Sequence, residues 1–260
     1  MKFVADLHIH SPYSRAVSKE MTLENLDYWA HRKGILVMGT GDFTHPQWIK
    51  EIKEKLVERE QGLFCLRGQE KIEKATRFML TVEISTIYSK NGKGRRVHHL
   101  IFVPSIEAAE KINTRLGWRG NLKSDGRPIL GLDSKELAKI VFDVDATAVL
   151  VPAHAWTPWF SIFGSMSGFD SIEECFEEYA KYIFAIETGL SSDPLMNRKC
   201  SFLDNIALIS NSDSHSLQRI GREANVFDTT TDYASIIDAI RSRDPKKFVS
   251  TIEFFPEEGK

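Results

Sequence analysis

Apolar positions in this 260-residue chain fall into short blocks separated by polar, turn-forming stretches, and the period changes from block to block. Lys2-Phe3-Val4-Ala5-Asp6-Leu7-His8-Ile9-His10 alternates, so on a strand Leu7 and Ile9 face a core while His8 and His10 share the other face. Thr22 can cap a helix over Leu23 to Arg32 that stops near Gly34, and Ile35 to Met38 reads as a buried strand ending in Gly39-Thr40-Gly41-Asp42. Pro46 suits the first turn of a charged amphipathic helix running to about Glu60. Strands follow over Leu63 to Leu66 and Arg77 to Ser85, with Glu83 near the end of the second; after a turn at Asn91 to Gly94 comes another strand, Val97 to Val103. Helices are expected from Ser105 to about Leu116 and from Ser134. A strand from Thr147 to Val151 leads into Pro152-Ala153-His154, and one from Ile183 to Thr188 carries Glu187 at its end. Pro194 opens a helix, and Ile206 to Ser210 is a strand ending in Asn211-Ser212-Asp213-Ser214-His215. A last unit uses Val226-Phe227, a helix from about Tyr233 to Arg243 and a short strand near Phe248. Repeated strand and helix units of this number predict a closed parallel α/β barrel, with an open doubly wound sheet as the alternative.

Two stretches stand apart from this alternation. Gly117 to Pro128 is too polar and glycine-rich for a core element and too long for a plain connection; Ala155 to Phe169 sets Trp156, Trp159, Phe160 and Phe163 among small residues. No internal repeat or linker interrupts the chain, so residues 1–260 are expected to form one domain. Hydrophobic residues make up 42%, no apolar run approaches a membrane span and no signal-peptide pattern opens the chain, which predicts a cytoplasmic protein. Cys65, Cys175 and Cys200 are few and far apart, predicting free thiols. Net charge is only −2, yet Lys90 to Arg127 holds nine basic residues against three acidic ones, a basic patch on a slightly acidic chain.

The chemistry lies at the predicted strand ends. They carry His8 and His10, Asp42, Glu83, His99, His154, and Asp213 with His215, all metal-ligand types. So dense a group of imidazoles and carboxylates would bury charge badly without cations, which predicts a multinuclear divalent-metal site. A mixed nitrogen and oxygen set without thiolates suits zinc, manganese or iron better than magnesium. His98 and His99 face opposite sides of their strand, so one of them should reach the site, and His99 is favoured.

Taken together, His8-x-His10, Asp42 after Gly-Thr-Gly, Glu83, His99, Pro-Ala-His154 and Asp213-x-His215 resemble the polymerase-and-histidinol-phosphatase (PHP) family of metallophosphoesterases over nearly the whole chain. Gly120 to Pro128, Trp156-Thr157-Pro158-Trp159-Phe160-Ser161 and Glu187-Thr188-Gly189-Leu190-Ser191 are similar to the endonuclease Q group of that family. The resemblance implies a distorted (β/α)7 barrel with two or three metals and hydrolysis of a phosphodiester. In that group the DNA strand is cut 5′ of a deaminated base (hypoxanthine, uracil, xanthine) or an abasic site, leaving a 3′-hydroxyl. His8, His10, Asp42, Glu83, His99, His154, Asp213 and His215 would then hold metals, with Glu83 as the bridging carboxylate and Glu83, Asp213 and His154 closest to the chemistry. DNA would be met by Arg119, Lys123 and Arg127 through phosphates, by Trp156 and Trp159 through stacking, and by Ser192 and Asn197 through hydrogen bonds. The chain departs from the family pattern at Ala16-Val17, where many members place a ligand, and at Asp42, where most have histidine, so two metals are expected. Endonuclease Q proteins also continue beyond this length with a cysteine-containing zinc segment. A PHP phosphatase of a small phosphomonoester and an inactive DNA-binding barrel are the competing functions.

Overall fold

The computed structural model describes residues 1–258. In chain order it contains β1 (Lys2–Asp6), α1 (Leu23–Lys33), β2 (Ile35–Gly39), α2 (Pro46–Lys55), β3 (Leu56–Glu60), β4 (Leu63–Leu66), β5 (Arg77–Lys90), β6 (Lys93–Val103), α3 (Ile106–Gly117), β7 (Ile129–Leu130) and α4 (Ser134–Val144). There follow β8 (Val149–Pro152), α5 (Ile172–Phe176), β9 (Ala185–Glu187), α6 (Pro194–Asn197), β10 (Ala207–Ile209), β11 (Ala224–Asp228), α7 (Tyr233–Ser242) and β12 (Phe248–Ile252).

Seven strands make up the wall of a distorted α/β barrel. β1, β2, β5, β6 and β8 pair in that order, and β9 and β10 form a separate parallel pair. Two thin seams draw this pair into the ring. The Ala155 amide donates to the Glu187 carbonyl at 2.9 Å on one side; on the other, the His10 amide donates to the Ser214 carbonyl at 3.1 Å and the Ser214 amide to the His8 carbonyl at 3.3 Å. The remaining strands decorate the edges, β3 and β4 beyond β5, β7 beside the far end of β5, and β11 and β12 beyond β1.

The expected all-parallel pattern does not hold. β5 and β6 form a long antiparallel hairpin closed by Asn91-Gly92, both with positive φ (53° and 72°), the backbone a two-residue hairpin turn with strand-matching twist requires. β6 runs antiparallel to β8, and β1 to β11. The helix expected to reach Glu60 ends at Lys55, because Leu56 to Glu60 pair with β4 instead. Elsewhere the local signals act as read: the Thr22 hydroxyl accepts from the Asn25 amide at 3.3 Å, and Gly34 (φ 72°) closes α1.

Inward-facing Ala5, Leu7, Val37, Met79, Leu100, Val149 and Ile209 fill the barrel below the site. α7 packs against this plug, and the Tyr233 hydroxyl lies 3.0 and 2.9 Å from the Phe102 and Thr147 carbonyl oxygens. A second apolar layer, including Leu26, Ile52, Ile112 and Val141, joins the other helices to the outer faces of the strands. Above it, His8, His10, Glu83, His98, His154 and Asp213 gather at one mouth of the barrel. No helix among the described residues is long and apolar enough to cross a membrane, and the three cysteines are free.

Candidate metal centre

At that mouth two groups of donor atoms meet on one carboxylate. The first comprises His8, His10, Glu83 and Asp213, the second Glu83, His98 and His154, and within each group the donor atoms lie within 4.8 Å of one another. Glu83 turns a different oxygen to each. Its Oε2 is 3.7 Å from His8 Nε2 and 3.4 Å from His10 Nε2; its Oε1 is 2.8 Å from His98 Nδ1 and 3.1 Å from His154 Nε2. Asp213 Oδ1 completes the first group, 3.5 Å from His8 Nε2 and 3.1 Å from His10 Nε2.

The imidazoles of the first group are fixed from behind by carboxylates. His8 Nδ1 lies 3.1 Å from both oxygens of Glu187, and His10 Nδ1 lies 3.1 Å from Asp42 Oδ1. This arrangement sets the tautomer that frees Nε2 as a ligand and raises its basicity. His8 Nε2 is fully buried and has no hydrogen-bond partner, a gap that a cation among these donors fills. The donor set therefore fits divalent metal ions.

Backbone strain accompanies the site. Asp42, His154 and Asp213 all sit at positive φ (50°, 31° and 45°), where a side chain crowds its own backbone. Neighbouring glycines make room: a Cβ on Gly189 would strike His154, and one on Gly126 would strike the carboxylate of Asp42 and the Ser14 hydroxyl.

Electrostatics set His98 apart from the other imidazoles, His154 included, which Glu83 raises against burial. Burial pushes the His8 and His10 pKa values down, but the surrounding carboxylates, Glu187, Asp213 and Glu83 for His8 and Asp42 for His10, overcome it and hold both well above the usual histidine value. Burial dominates at His98, which falls to about 4 and is neutral. Glu83 is held well below the usual carboxylate range although burial opposes it, because His98, Arg127, His8 and a bond from His10 favour its charge. Arg127 Nη1 donates to Glu83 Oε2 at 3.1 Å, so this arginine belongs to the centre itself.

Several expected positions need correction. His98, not His99, reaches the centre: pairing of β5 with β6 sets Ser85 opposite His98, on the face of Glu83, and Ile84 opposite His99. His99 points outward, its Nε2 3.2 Å from the Thr86 hydroxyl and 3.1 Å from that of Ser134, and burial lowers it to about 3. Asp42 lies one shell behind, since its Oδ1 faces His10 and its Oδ2 accepts from the Ser11 amide and the Ser11 and Ser14 hydroxyls. His215 borders the cluster with its ring 4.7 Å from that of His10; its Nδ1 donates to the Asp213 carbonyl, leaving Nε2 as the free donor. Ser192 and Asn197 are buried and committed internally: the Ser192 hydroxyl donates to the Thr188 carbonyl, and Asn197 bonds Ser192, the Asp193 carbonyl and the Trp156 indole N–H. They hold the aromatic loop in place. The basic patch is dispersed, with Lys90, Arg95, Lys111, Arg115 and Arg127 each paired to a carboxylate, while Arg119 and Lys123 are exposed.

Three further residues, Glu187, Asp6 and Asn211, build the site. Besides holding His8, Glu187 accepts from the His154 amide and from Asn211 Nδ2; its place at a strand end was the available signal. Asp6 accepts from the Ser212 and Gly221 amides, and Asn211 Oδ1 from the Leu7 amide, which together tie the Asp213 loop to β1.

A cavity of about 730 Å³ opens beside the second donor group, lined by His98, His154, Trp156, Trp159, Phe160 and Asp213 among others. Trp159 is exposed at its rim, with the Arg96 guanidinium 4.9 Å from its ring centre.

Comparison with known proteins places this geometry. A family model described as PHP-associated matches residues 204–245. The uncharacterised protein YqxK of Bacillus subtilis is 30% identical over 272 residues, covering 100% of this chain and 67% of YqxK. An uncharacterised protein of Methanocaldococcus jannaschii is 36% identical over 154 residues, 59% of this chain and 16% of that one. The lesion-specific endonuclease Q of Pyrococcus furiosus superposes with a TM-score of 0.85 at 33% identity, covering 100% of this chain and 61% of that chain. Endonuclease Q crystallised with a 27-mer duplex carrying an abasic lesion at its active site also gives 0.85 and 33%, covering 98% and 60%. The chain thus spans about three fifths of the endonuclease Q structures.

Proposed function

Since the chain belongs to the PHP superfamily of metal-dependent phosphoesterases, we propose that it is a DNA endonuclease cutting the phosphodiester 5′ of a deaminated base or an abasic site. The observation that carries this reading is Glu83, whose two oxygens face two separate donor groups beside a cavity walled by tryptophans. His8, His10 and Asp213 would hold one ion, His98 and His154 a second, and Glu83 both, with His215 at the margin. Zinc, manganese or iron suits these donors. When bound, the ions lower the pKa of an attacking water and neutralise charge on the phosphoryl oxygens. The protein's own residues do the rest. Glu187 and Asp42 keep the His8 and His10 rings in register. Arg127, now on Glu83, is within reach of a non-bridging oxygen of a phosphate entering the mouth. Trp156 and Trp159 offer faces against which an extruded base stacks, and exposed Arg119 and Lys123 meet the backbone beyond.

The test is a 5′-labelled duplex with one deoxyinosine, incubated with the protein and Mn²⁺ or Zn²⁺. A single nick 5′ of the lesion supports the reading. Turnover of small phosphomonoesters alone points to a phosphatase, and metal uptake without either reaction points to a binding module.

A further inference from the structure

Two cavities flank the donor cluster, and Asp213 and Leu190 line both. One is the aromatic cavity described above. The other, about 710 Å³, is walled by His215, Gln218, Arg219 and Arg222. Resting on the endonuclease reading, we propose that this second cavity is an anion subsite for the phosphate one nucleotide to the 5′ side of the scissile one. Arg219 and Arg222 are then specificity-determining residues that select a polynucleotide chain over a lone phosphate ester.

The arginines are built for such a ligand. Arg222 is half-buried; its Nε donates to the Ser212 carbonyl at 2.8 Å and one Nη to the Asp213 carbonyl at 3.5 Å, which fixes the guanidinium to the loop that presents Asp213 and leaves its other Nη free. Among the described residues, neither Arg219 nor Arg222 has a carboxylate oxygen within 4.0 Å, although the centre beside them is rich in carboxylates. Arg222, drawn partly out of water without a counter-ion, and the exposed Arg219 beside it keep coplanar N–H donors that match phosphate oxygens. The Ala16 side chain is a methyl group and brings no competing charge to this wall. Glu258, exposed, is the carboxylate besides Asp213 that borders the cavity.

Direction follows from the order of the cavities. If the aromatic cavity takes the base on the 3′ side of the cut, a strand passing over the donor cluster leaves through the opposite cavity on its 5′ side. The shared Asp213 lies between them. A phosphomonoester has no group to place in the arginine cavity.

The test couples protein and substrate changes. A lesion duplex is prepared with a neutral methylphosphonate at the linkage immediately 5′ of the scissile one, and compared with the all-phosphate duplex on wild type, Arg219→Gln and Arg222→Gln. Removing one charge-assisted contact should lower kcat/KM about tenfold. Wild type should lose that factor on the methylphosphonate; each variant should lose it on the normal duplex and lose nothing more on the modified one. Additive losses overturn the subsite. Because Arg222 also bonds the Asp213 loop, the exposed Arg219 is the cleaner variant. The same four-way comparison is read by fluorescence anisotropy with Ca²⁺-loaded protein, without cleavage. Coupled binding losses with no nicking would sink the endonuclease reading and leave the subsite standing, whereas nicking with additive binding losses would sink the subsite alone.

Discussion

The two halves of the centre share Glu83 and differ in almost everything else. On the β1 side His8 and His10 each lean on a buried carboxylate, Glu187 or Asp42, which hold both pKa values well above the usual histidine value. On the β6 and β8 side His98 and His154 have no such backing: His98 is neutral, and His154 Nδ1 meets only the Thr157 hydroxyl, 3.1 Å away. The first half is braced from behind by carboxylates, and the second opens onto the aromatic cavity, the side on which the proposed substrate would enter. One side is hydrogen-bonded from behind and the other borders a cavity, with the shared carboxylate linking them.

The largest effect that separates them should come from the shared carboxylate. Glu83→Ala should abolish nicking altogether, and Asp213→Ala should do the same, since each loses a donor from the densest part of the cluster; nicking by either variant at the wild-type rate would break the assignment. The adjacent histidines come next. His98→Ala should remove activity while leaving the fold intact, whereas His99→Ala should lower the melting temperature and retain activity, because His99 bonds only Thr86 and Ser134 behind the sheet. Steady-state nicking and thermal melts on the pair distinguish the two.

A smaller effect is expected one shell out. Asp42→Asn and Glu187→Gln should each weaken metal binding by about 10–100-fold, and titration calorimetry should find the loss confined to one of two sites.

Acidity gives a further contrast. His8 and His10 must lose their protons to bind metal, so affinity at the first half should rise with pH through their raised pKa values, while at the second half His98, at about 4, adds nothing between pH 6 and 8 and the weaker dependence comes from His154 alone, which Glu83 raises against the effect of burial. In metal-free protein the sign reverses. The charged imidazoles stabilise the fold fully below the unfolded histidine pKa of about 6.5, and this contribution fades as pH rises through the raised folded values. Melts in chelator from pH 6 to 9 should fall; a flat profile would contradict the pairing. The smallest effect should be Trp159→Ala, about tenfold in kcat/KM from one lost stacking face, with metal binding unchanged.

These contrasts also explain what the chain revealed before folding. His8, His10, His154 and Asp213 could be picked out because each follows a short apolar block, and strand ends converge at one mouth. His98 and His99 could not be separated, since the register with Glu83 is decided by a hairpin partner more than ten residues away. The backing role of Asp42 was equally hidden, because a ligand and the group that orients it are both carboxylates at strand ends. Glu187 shows the reverse: the signal was there, but no pattern distinguished it from a salt-bridged acid. Ser192 and Asn197 looked like substrate donors because loop polarity says nothing about burial, and here their hydrogen bonds are spent internally. The barrel itself was legible from its alternating blocks, while the antiparallel β5–β6 hairpin followed from an Asn-Gly turn whose consequence for strand direction is tertiary.

The central claim is that one carboxylate joins two metal positions, and counting ions tests it most directly. Elemental analysis of purified, metal-saturated protein should give two divalent ions per chain in wild type, one in His98→Ala and none in Glu83→Ala. A Glu83→Ala protein that keeps both ions would contradict it.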